Sequence, residues 1–343
     1  MDLLRELLHG EMNSSTVLLY PDEQAIKLAA DALRRGKVVA FPTETVYGLG
    51  ADAFNPAAVT AVFAAKKRPR FDPLIVHIAD YAMLEAVAAL QALGARTTLD
   101  KLIQNLWPGP LTVILPKQPS VPDIVTAGLS TVAVRVPSHP VAQKLIRLST
   151  GAIAAPSANL FGRLSPTRAE HVVQSLNGAA DYIIDDGKTG IGLESTVLDL
   201  CSCKPCILRP GGTAQEQIEA LIGPVLRGYD PQTISSPGQL KNHYAPTKPL
   251  HTSSLEQIPY HTDAAYLFFD GKSRESWCAG KPAIAKTLVL SESGSLSEAA
   301  ANLFVLLHEL DAETVPVIYA QLAPEKGLGI AINDRLKRAS TQA

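Results

Sequence analysis

The sequence has no excess of either charge and no long apolar run. Its 343 residues include 31 Lys and Arg against 33 Asp and Glu, which gives a formal net charge of −2 at pH 7. A nonspecific nucleic-acid binder normally carries a basic excess, so we expect at most weak contact with nucleic acid. No apolar run approaches the ~20 residues that a membrane helix needs, and no membrane contact is expected.

The overall composition is typical of a globular protein. Hydrophobic residues make up 46% of the chain and charged residues 19%, which is too apolar for a disordered chain. The N-terminal stretch, with leucines at positions 3, 4, 7 and 8, carries acidic residues and fits neither a secretory nor a transit peptide. We therefore expect a cytoplasmic protein.

Cysteine is scarce, and three of the four cysteines lie together at Cys201, Cys203 and Cys206. Three thiols without a nearby histidine leave the usual four-ligand zinc site incomplete. A β-hairpin is the favoured interpretation, because the short strands VLDL (197–200) and CILR (206–209) flank a turn that contains proline.

The length favours two domains, and the pattern along the chain suggests where they divide. We expect residues 1–20 to form an N-terminal extension that docks on the fold. Helical and extended patterns alternate over 21–227, which predicts an α/β domain. Prolines exclude regular structure over 228–249, which we interpret as a linker or lid. The alternation resumes over 250–343 and predicts a smaller α/β domain.

Local signals predict where several elements begin and end. Asn55 followed by Pro56 is typical of an N-cap and first helical position, and Gly36 is typical of a residue just past a helix. Ser165 and Pro166 likewise predict a helix start. The predicted helices cover 22–35, 57–67, 140–148, 167–176, 297–310 and 330–339. The predicted strands cover 37–41, 74–78, 112–115, 131–136, 152–155, 182–184, 197–200, 266–269, 288–290 and 315–319.

Three familiar site motifs are incomplete in this chain. GKT at 187–189 resembles the end of a P-loop, but Tyr182 stands where the first glycine belongs. GLGADA at 48–53 resembles a dinucleotide fingerprint, yet it does not follow its strand directly. GLESTV at 192–197 lacks the second glycine of a nucleophile elbow. The sequence therefore predicts neither a P-loop enzyme nor a serine hydrolase.

A basic run, KKRPR at 66–70, lies between a predicted helix and a predicted strand. Cations at a helix end can simply be solvated and favoured by the helix dipole. However, PTET at 42–45 and PSAN at 156–159 also follow predicted strands, and ligands in open α/β sheets gather at strand ends. Together these segments predict a site for a polyphosphate.

Several longer motifs resemble the YrdC-like family: FPTETVYGLGADA (41–53), KKRPRFDPLIVHI (66–78), WPGPLTVIL (107–115), VAVRVP (132–137), APSANLFGRLSPT (155–167), GLESTVLDL (192–200) and ILRPGG (207–212). Two further segments resemble the longer, two-domain branch of threonylcarbamoyl-AMP synthases: SPGQLKNHYAPTKPL (236–250) and GLGIAINDRLKRA (327–339). The resemblance spans nearly the whole chain after about residue 20.

The resemblance implies a fold and a reaction. The fold would be a twisted open mixed sheet with helices, plus a smaller Rossmann-like C-terminal α/β domain. The enzyme would convert L-threonine, bicarbonate and ATP into threonylcarbamoyl-AMP and pyrophosphate. A tRNA threonylcarbamoyl transferase would then use the product to modify an adenosine in tRNA. Mg2+ is expected to arrive with the ATP phosphates rather than on protein ligands.

The resemblance also implies roles for residues. L-Threonine would be held by Thr43, His77, Arg135 and Ser195. ATP would be held by Lys66, Arg70, Thr131, Ser157, Asn159, Ser165, Arg209, His243 and Tyr244. Lys66 and Arg68 would be catalytic, offsetting the charge on the leaving pyrophosphate.

Alternatives remain for some residues and for the whole chain. Ser165 could serve only as a helix cap, Thr131 as a strand residue, and His243 with Tyr244 as linker anchors. The chain could also be a module that binds double-stranded RNA or tRNA without adenylate-forming activity. Carbamoyl transfer in hydrogenase maturation is a third reading, but it expects paired-cysteine zinc fingers and an acylphosphatase-like domain that this sequence lacks.

Overall fold

The computed structural model describes residues 16–176, 178–228 and 244–340. The leucines of the predicted N-terminal extension, most of the predicted linker and His243 lie outside these residues. Two β-sheets organise the described part, one of 11 strands and one of 4 strands. The predicted fold class, a mixed α/β sheet followed by a smaller α/β unit, is confirmed. Among the described residues, no helix is both long and apolar enough to cross a bilayer.

The strands of the large sheet are β1 (Val17–Leu19), β2 (Val39–Phe41), β3 (Gly48–Asp52), β4 (Ile75–Ile78), β5 (Leu111–Pro116), β6 (Thr131–Arg135), β7 (Ala152–Ala154), β8 (Tyr182–Ile184), β9 (Thr196–Asp199), β10 (Cys206–Arg209) and β11 (Leu226–Arg227). Their order across the sheet is β1-β8-β2-β3-β7-β4-β6-β5-β9-β10-β11. The sheet is mixed, because parallel pairs such as β4 with β6 alternate with antiparallel pairs such as β5 with β6.

The α-helices that accompany this sheet are α1 (Glu23–Arg34), α2 (Pro56–Lys66), α3 (Arg96–Leu106), α4 (Asp123–Thr126), α5 (Pro140–Leu148), α6 (Ala169–Leu176) and α7 (Gln215–Ile222). Short 3-10 turns cover Tyr81–Ala86 and Leu90–Ala92. Apolar side chains on the strands and helices form the core.

The second unit is a small parallel sheet with helices. Its strands are β12 (Leu250–Ser253), β13 (Ala265–Asp270), β14 (Lys286–Ser291) and β15 (Ile318–Gln321), and its helices are α8 (Gly271–Cys278), α9 (Leu296–Ala312) and α10 (Leu328–Ala339). The strand order is β12-β15-β13-β14, and every pairing is parallel. Alternating strands and helices with a parallel sheet fit the predicted Rossmann-like organisation.

The register of the large sheet aligns polar side chains that the sequence separates. His77 on β4 is the register partner of Arg135 on β6, and Arg135 in turn faces Thr112 on β5. Register partners in neighbouring strands point to the same face of a sheet. The sheet therefore presents these three side chains in one row.

Helix-end signals in the sequence correspond to real contacts. The Asn55 side chain accepts hydrogen bonds from the amides of Ala57 and Ala58, with Pro56 as the first residue of α2. Gly36 follows α1 with φ of 77°. Both predictions are confirmed. The Asn55 side chain caps the start of α2, and the backbone freedom of Gly36 lets the chain leave α1.

The prediction that Ser165 caps a helix is wrong. The helix expected from residue 167 begins at Ala169, and the Ser165 hydroxyl donates to Glu194 Oε1 instead of accepting a hydrogen bond from a helix amide. A partner 29 residues away in sequence has replaced the local one.

Some elements of the structure were not predicted, and others begin or end at residues other than those predicted. The segment Gly48–Asp52 is strand β3, and β12, α3, α7 and α8 were also not predicted. The last strand, predicted over 315–319, is Ile318–Gln321. In contrast, the hairpin prediction is confirmed, because β9 and β10 pair antiparallel and the cysteines beside them are free.

Gly50 provides a test of packing in the large sheet. A Cβ atom at this position would lie 2.6 Å from Ile153 Cγ2 and 2.7 Å from Phe41 Cε1. Gly50→Ala is therefore expected to lower the free energy of unfolding by about 1–3 kcal/mol, as overpacking does. Gly94→Ala is the control, because no atom lies within 4 Å of its Cβ position. Equal urea midpoints for the two variants would contradict this packing.

Candidate active site

A cleft beside the central strands of the large sheet gathers many of the predicted site residues. The cleft is open to solvent, and the space free of atoms between its walls is about 550 Å³ including that open part. The residues that line it are Thr43, Thr45, Val46, Gly48, Arg68, Pro73, Leu74, Ile75, His77, Arg135, Ala155, Pro156, Ser157, Glu194, Ser195, Arg209 and Tyr244. The structure thus brings together the four residues predicted for L-threonine with four of those predicted for ATP or catalysis.

Arg135, the last residue of β6, is held firmly in the cleft wall. Its Nε donates to the carbonyl of Gly109 at 3.2 Å and its Nη1 to Thr45 Oγ1 at 2.9 Å. Its Nη2 lies 2.7 Å from Glu44 Oε1. Although burial favours the neutral acid, Arg135 holds the pKa of Glu44 below its usual value. The guanidinium is therefore preset for an anion.

Arg68 is fixed by the turn that follows α2. Its Nε and Nη2 donate to the carbonyls of Asp72 and Pro73 at 3.2 and 2.9 Å, and Nη2 lies 2.8 Å from the Asp72 carboxylate. Only 8% of Arg68 is exposed. The turn after α2 is therefore built around one guanidinium.

Arg209 and Ser195 form a third polar corner. Arg209 Nη2 donates to the Ser195 carbonyl at 2.8 Å and to Ser195 Oγ at 3.2 Å. The Ser195 hydroxyl also lies 2.7 Å from Thr112 Oγ1 on β5. These bonds connect the start of β9 with the end of β10.

Lys66 does not line the cleft directly. Its side chain is 1% exposed, and Nζ donates to the carbonyl of Ser157 at 2.5 Å and to that of Asn159. Burial first, and then the positive charge of Arg68, lower the pKa of Lys66 well below its usual value. The ammonium therefore fixes the turn that carries Ser157 into the cleft.

Asn159 and Ser165 support this region from behind. The Asn159 side-chain amide donates to the carbonyls of Leu160 and Arg163, both at 2.8 Å. Its Oδ1 has no hydrogen-bond partner among the described residues. Ser165 is fully buried against Glu194.

Arg70 and Thr131, like Lys66, Asn159 and Ser165, are not part of the cleft wall. Arg70 is exposed on the turn after α2, and Thr131 is half-buried at the start of β6. Neither lines the cleft. His243 lies outside the described residues, whereas its neighbour Tyr244 is 1% exposed and lines the cleft.

His77 is a buried imidazole among charges. It is 4% exposed, and its Nδ1 has no hydrogen-bond partner among the described residues. Burial, followed by the charge of Arg135, lowers its pKa to about 3. His77 is therefore neutral at physiological pH and offers a neutral hydrogen-bonding group to the cleft.

Two carboxylates, Glu44 and Glu194, and the hydroxyl of Thr45 were not among the predicted site residues. All three lie inside motifs of the family resemblance. Each carboxylate is paired with an arginine, Glu44 with Arg135 and Glu194 with Arg335. Their role is to hold cations rather than to bind anions.

The arrangement suits the binding and positioning of anions. Three buried arginines converge on the cleft, and small hydroxyls surround them. Within the described residues, no cluster of His, Cys, Asp and Glu could hold a metal ion. The geometry fits reactions in which the protein orients substrates and stabilises charge.

Comparison with known families covers most of the chain. The Sua5_yciO_yrdC family, described as "Telomere recombination", matches residues 31–211. A second family, described as "Threonylcarbamoyl-AMP synthase, C-terminal domain", matches residues 213–341.

Known relatives are similar over nearly their full lengths. The threonylcarbamoyl-AMP synthase of Pyrococcus abyssi is 42% identical over 326 residues, which cover 93% of this chain and 95% of the relative. That of Bacillus subtilis is 44% identical over 332 residues, 94% of each chain. The crystal structure of P. abyssi Sua5 complexed with L-threonine has a TM-score of 0.83 at 39% identity and covers 95% of this chain and 97% of that chain.

The protonation state of His77 can be measured directly. Because its folded pKa of about 3 lies below the ~6.5 of an unfolded chain, His77 contributes stability above pH 6.5 that is lost as the pH falls towards 3. We expect its imidazole NMR signals to stay constant from pH 8 to pH 5. His77→Asn assigns the signals. A titration midpoint near pH 6.5 would contradict the buried, neutral state.

Proposed function

Because this chain belongs to the threonylcarbamoyl-AMP synthase family, we propose that its cleft makes threonylcarbamoyl-AMP and pyrophosphate from L-threonine, bicarbonate and ATP. The observation that carries the proposal is the convergence of Arg68, Arg135 and Arg209 on one cleft in a chain of this family. The reaction involves an amino-acid carboxylate and a triphosphate, and three fixed guanidiniums match these two anionic groups.

L-Threonine is assigned to the part of the cleft around Arg135. A carboxylate would take hydrogen bonds from the Arg135 guanidinium, whose other contacts already fix its plane. Thr43, His77 and Ser195 would contact the amine and hydroxyl of the amino acid. The crystal structure of the similar P. abyssi Sua5 contains L-threonine, which supports this amino acid as the substrate.

ATP is assigned to the part of the cleft around Arg68, Arg209 and Ser157. Lys66 has three ammonium protons, and the carbonyls of Ser157 and Asn159 accept two of them. The third remains for a phosphate oxygen if the turn adjusts on binding. A polyanion beside Lys66 would also favour its charged form. Tyr244 would close over the nucleotide.

The proposed chemistry uses no protein nucleophile. Bicarbonate takes up one proton and loses water to give CO2. The neutral amine of threonine attacks the carbon of CO2 and forms the C–N bond of a carbamate. The nitrogen releases one proton, so water is the only other product of the two steps. A carbamate oxygen then attacks the α-phosphorus of ATP, the bond to the bridging oxygen breaks, and pyrophosphate leaves with that oxygen. Arg68, Arg209 and Lys66 stabilise the charge on the leaving group.

The described carboxylates do not fit a resident Mg2+ site. Glu44 and Glu194, the acidic residues nearest the cleft, are paired with arginines. We therefore propose that any Mg2+ enters on the phosphates of ATP, and no step of the proposed reaction depends on a protein-bound metal.

The wider setting follows from the same family. We propose that the product passes to a tRNA threonylcarbamoyl transferase in the cytoplasm, and that tRNA contacts this chain only weakly. We further propose that residues 21–227 form the catalytic domain, 228–249 the linker and 250–343 the second domain. An RNA-binding module without catalysis is not favoured, because the relatives at 42% and 44% identity are synthases.

The direct test is pyrophosphate release by the purified protein. We expect release from ATP only when L-threonine and bicarbonate are both present, because the attacking group forms from those two compounds. Glycine, which lacks the 1-hydroxyethyl side chain of threonine, serves as the control amino acid. Equal release without threonine would refute the proposed function.

Lys66 and its neighbour Lys67 allow a matched comparison. Lys66→Ala should lower kcat by about 100-fold, since it removes a charge at the phosphates and the support of the Ser157 turn. Lys67 is exposed with φ of 52°, a conformation that asparagine tolerates, so Lys67→Asn should keep kcat within about twofold. A folded Lys66→Ala protein of normal kcat would remove Lys66 from the mechanism.

A further inference from the structure

Arg335, on the last helix of the second unit, is fully buried against the large unit. Its Nε donates to Glu194 Oε2 at 2.6 Å, and its Nη2 donates to the carbonyl of Pro210 at 3.0 Å. Its Nη1 donates to Asp334 Oδ2 at 2.5 Å. One guanidinium from helix α10 therefore contacts two separate segments of the large sheet.

Both contacted segments carry side chains of the cleft. Glu194 lines the cleft and precedes Ser195, and Pro210 follows Arg209. The two segments also contact each other, because the Gly212 amide donates to the Glu194 carbonyl at 2.9 Å. Arg335 thus holds, from outside the cleft, the backbone that positions Ser195 and Arg209.

The same guanidinium supports Tyr244. The Arg335 Cζ atom lies 4.8 Å from the centroid of the Tyr244 ring, a cation–π distance. Tyr244 is buried and has φ of 67°, which is uncommon for a residue other than glycine. A planar, delocalised cation is needed to face this ring while its edges hydrogen-bond Glu194 and Pro210.

The charges around Arg335 show that the contact is balanced. Although burial opposes the charged form, Tyr244, Glu194 and Asp334 together raise the pKa of Arg335. Glu194 also accepts from the Ser165 hydroxyl, so both of its oxygens are bound. Removing Arg335 would leave a buried carboxylate short of a partner, and the segment would rearrange.

We infer that Arg335 is a positioning residue through which the second unit sets the geometry of the substrate cleft. It touches no reacting atom. It fixes the Glu194–Ser195 segment, the Arg209–Pro210 segment and Tyr244 in one mutual arrangement. The kinetic part of this inference rests on the proposed function, in which Ser195 contacts threonine and Arg209 contacts ATP.

The test compares Arg335→Met and Arg335→Lys with the wild-type chain. Small misplacements of binding groups cost up to about 100-fold in rate, so kcat/KM should fall about 10- to 100-fold in both variants. KM should rise for L-threonine and for ATP together, because both segments lose one support. Lysine retains the charge for Glu194 but cannot reproduce the planar fork, so Arg335→Lys should fold yet remain impaired.

Phe268→Leu separates positioning from stability. Phe268 lies on β13 and is fully buried in an apolar cluster made only of residues of the second unit. The smaller side chain should lower Tm while kcat/KM, measured well below Tm, stays within about twofold of wild type. A comparable kinetic loss in Phe268→Leu would reduce Arg335 to a structural role and overturn the inference.

A second readout does not depend on turnover. Hydrogen exchange in a peptide spanning 209–213 should be faster in Arg335→Lys than in wild type, and unchanged in Phe268→Leu. Wild-type protein that releases no threonine-dependent pyrophosphate would defeat the proposed function but leave this exchange test intact. Unchanged exchange together with kcat/KM within about twofold of wild type in Arg335→Lys would overturn the inference, even where Arg335→Met fails to fold.

Discussion

The rest of the site depends on one constraint: each buried arginine of the cleft must be paired with carbonyls or carboxylates. Arg68, Arg135 and Arg209 are at most 8% exposed, and a buried cation is tolerated only when carbonyls and carboxylates satisfy it. The turn after α2 wraps its carbonyls around Arg68, and Glu44 pairs with Arg135. The loops of the cleft are therefore arranged to satisfy the hydrogen-bonding needs of the arginines that line it.

Much of the fold follows from short-range signals in the sequence. The Asn55 cap, Gly36 and the hairpin between β9 and β10 are local features, and each was predicted correctly. Strand β3, in contrast, reads GLGAD, whose glycines and alanine have low β-propensity. It is a strand because β2 and β7 pair with it on both sides. Such tertiary pairing leaves no signature within five residues.

The candidate site, like the fold, has features that the sequence predicts and features that it does not. Motifs identify the residue types, but they do not give their orientation or their partners. The sequence predicts a polyphosphate site at the basic run, but not that Lys66 turns inward to backbone carbonyls while Arg70 stays exposed. Arg335 lies 141 residues from Glu194, so no local pattern could join them. That contact is one of those that connect the second unit to the cleft.

Carbon incorporation tests the central claim most directly, namely that one cleft joins threonine, bicarbonate and ATP. The protein would be incubated with ATP, L-threonine and 13C-labelled bicarbonate. The mass of the adenylate product would then be measured by mass spectrometry. Our account predicts a threonylcarbamoyl adenylate that is one mass unit heavier than the product from unlabelled bicarbonate. An adenylate of threonine alone, without the labelled carbon, would contradict it.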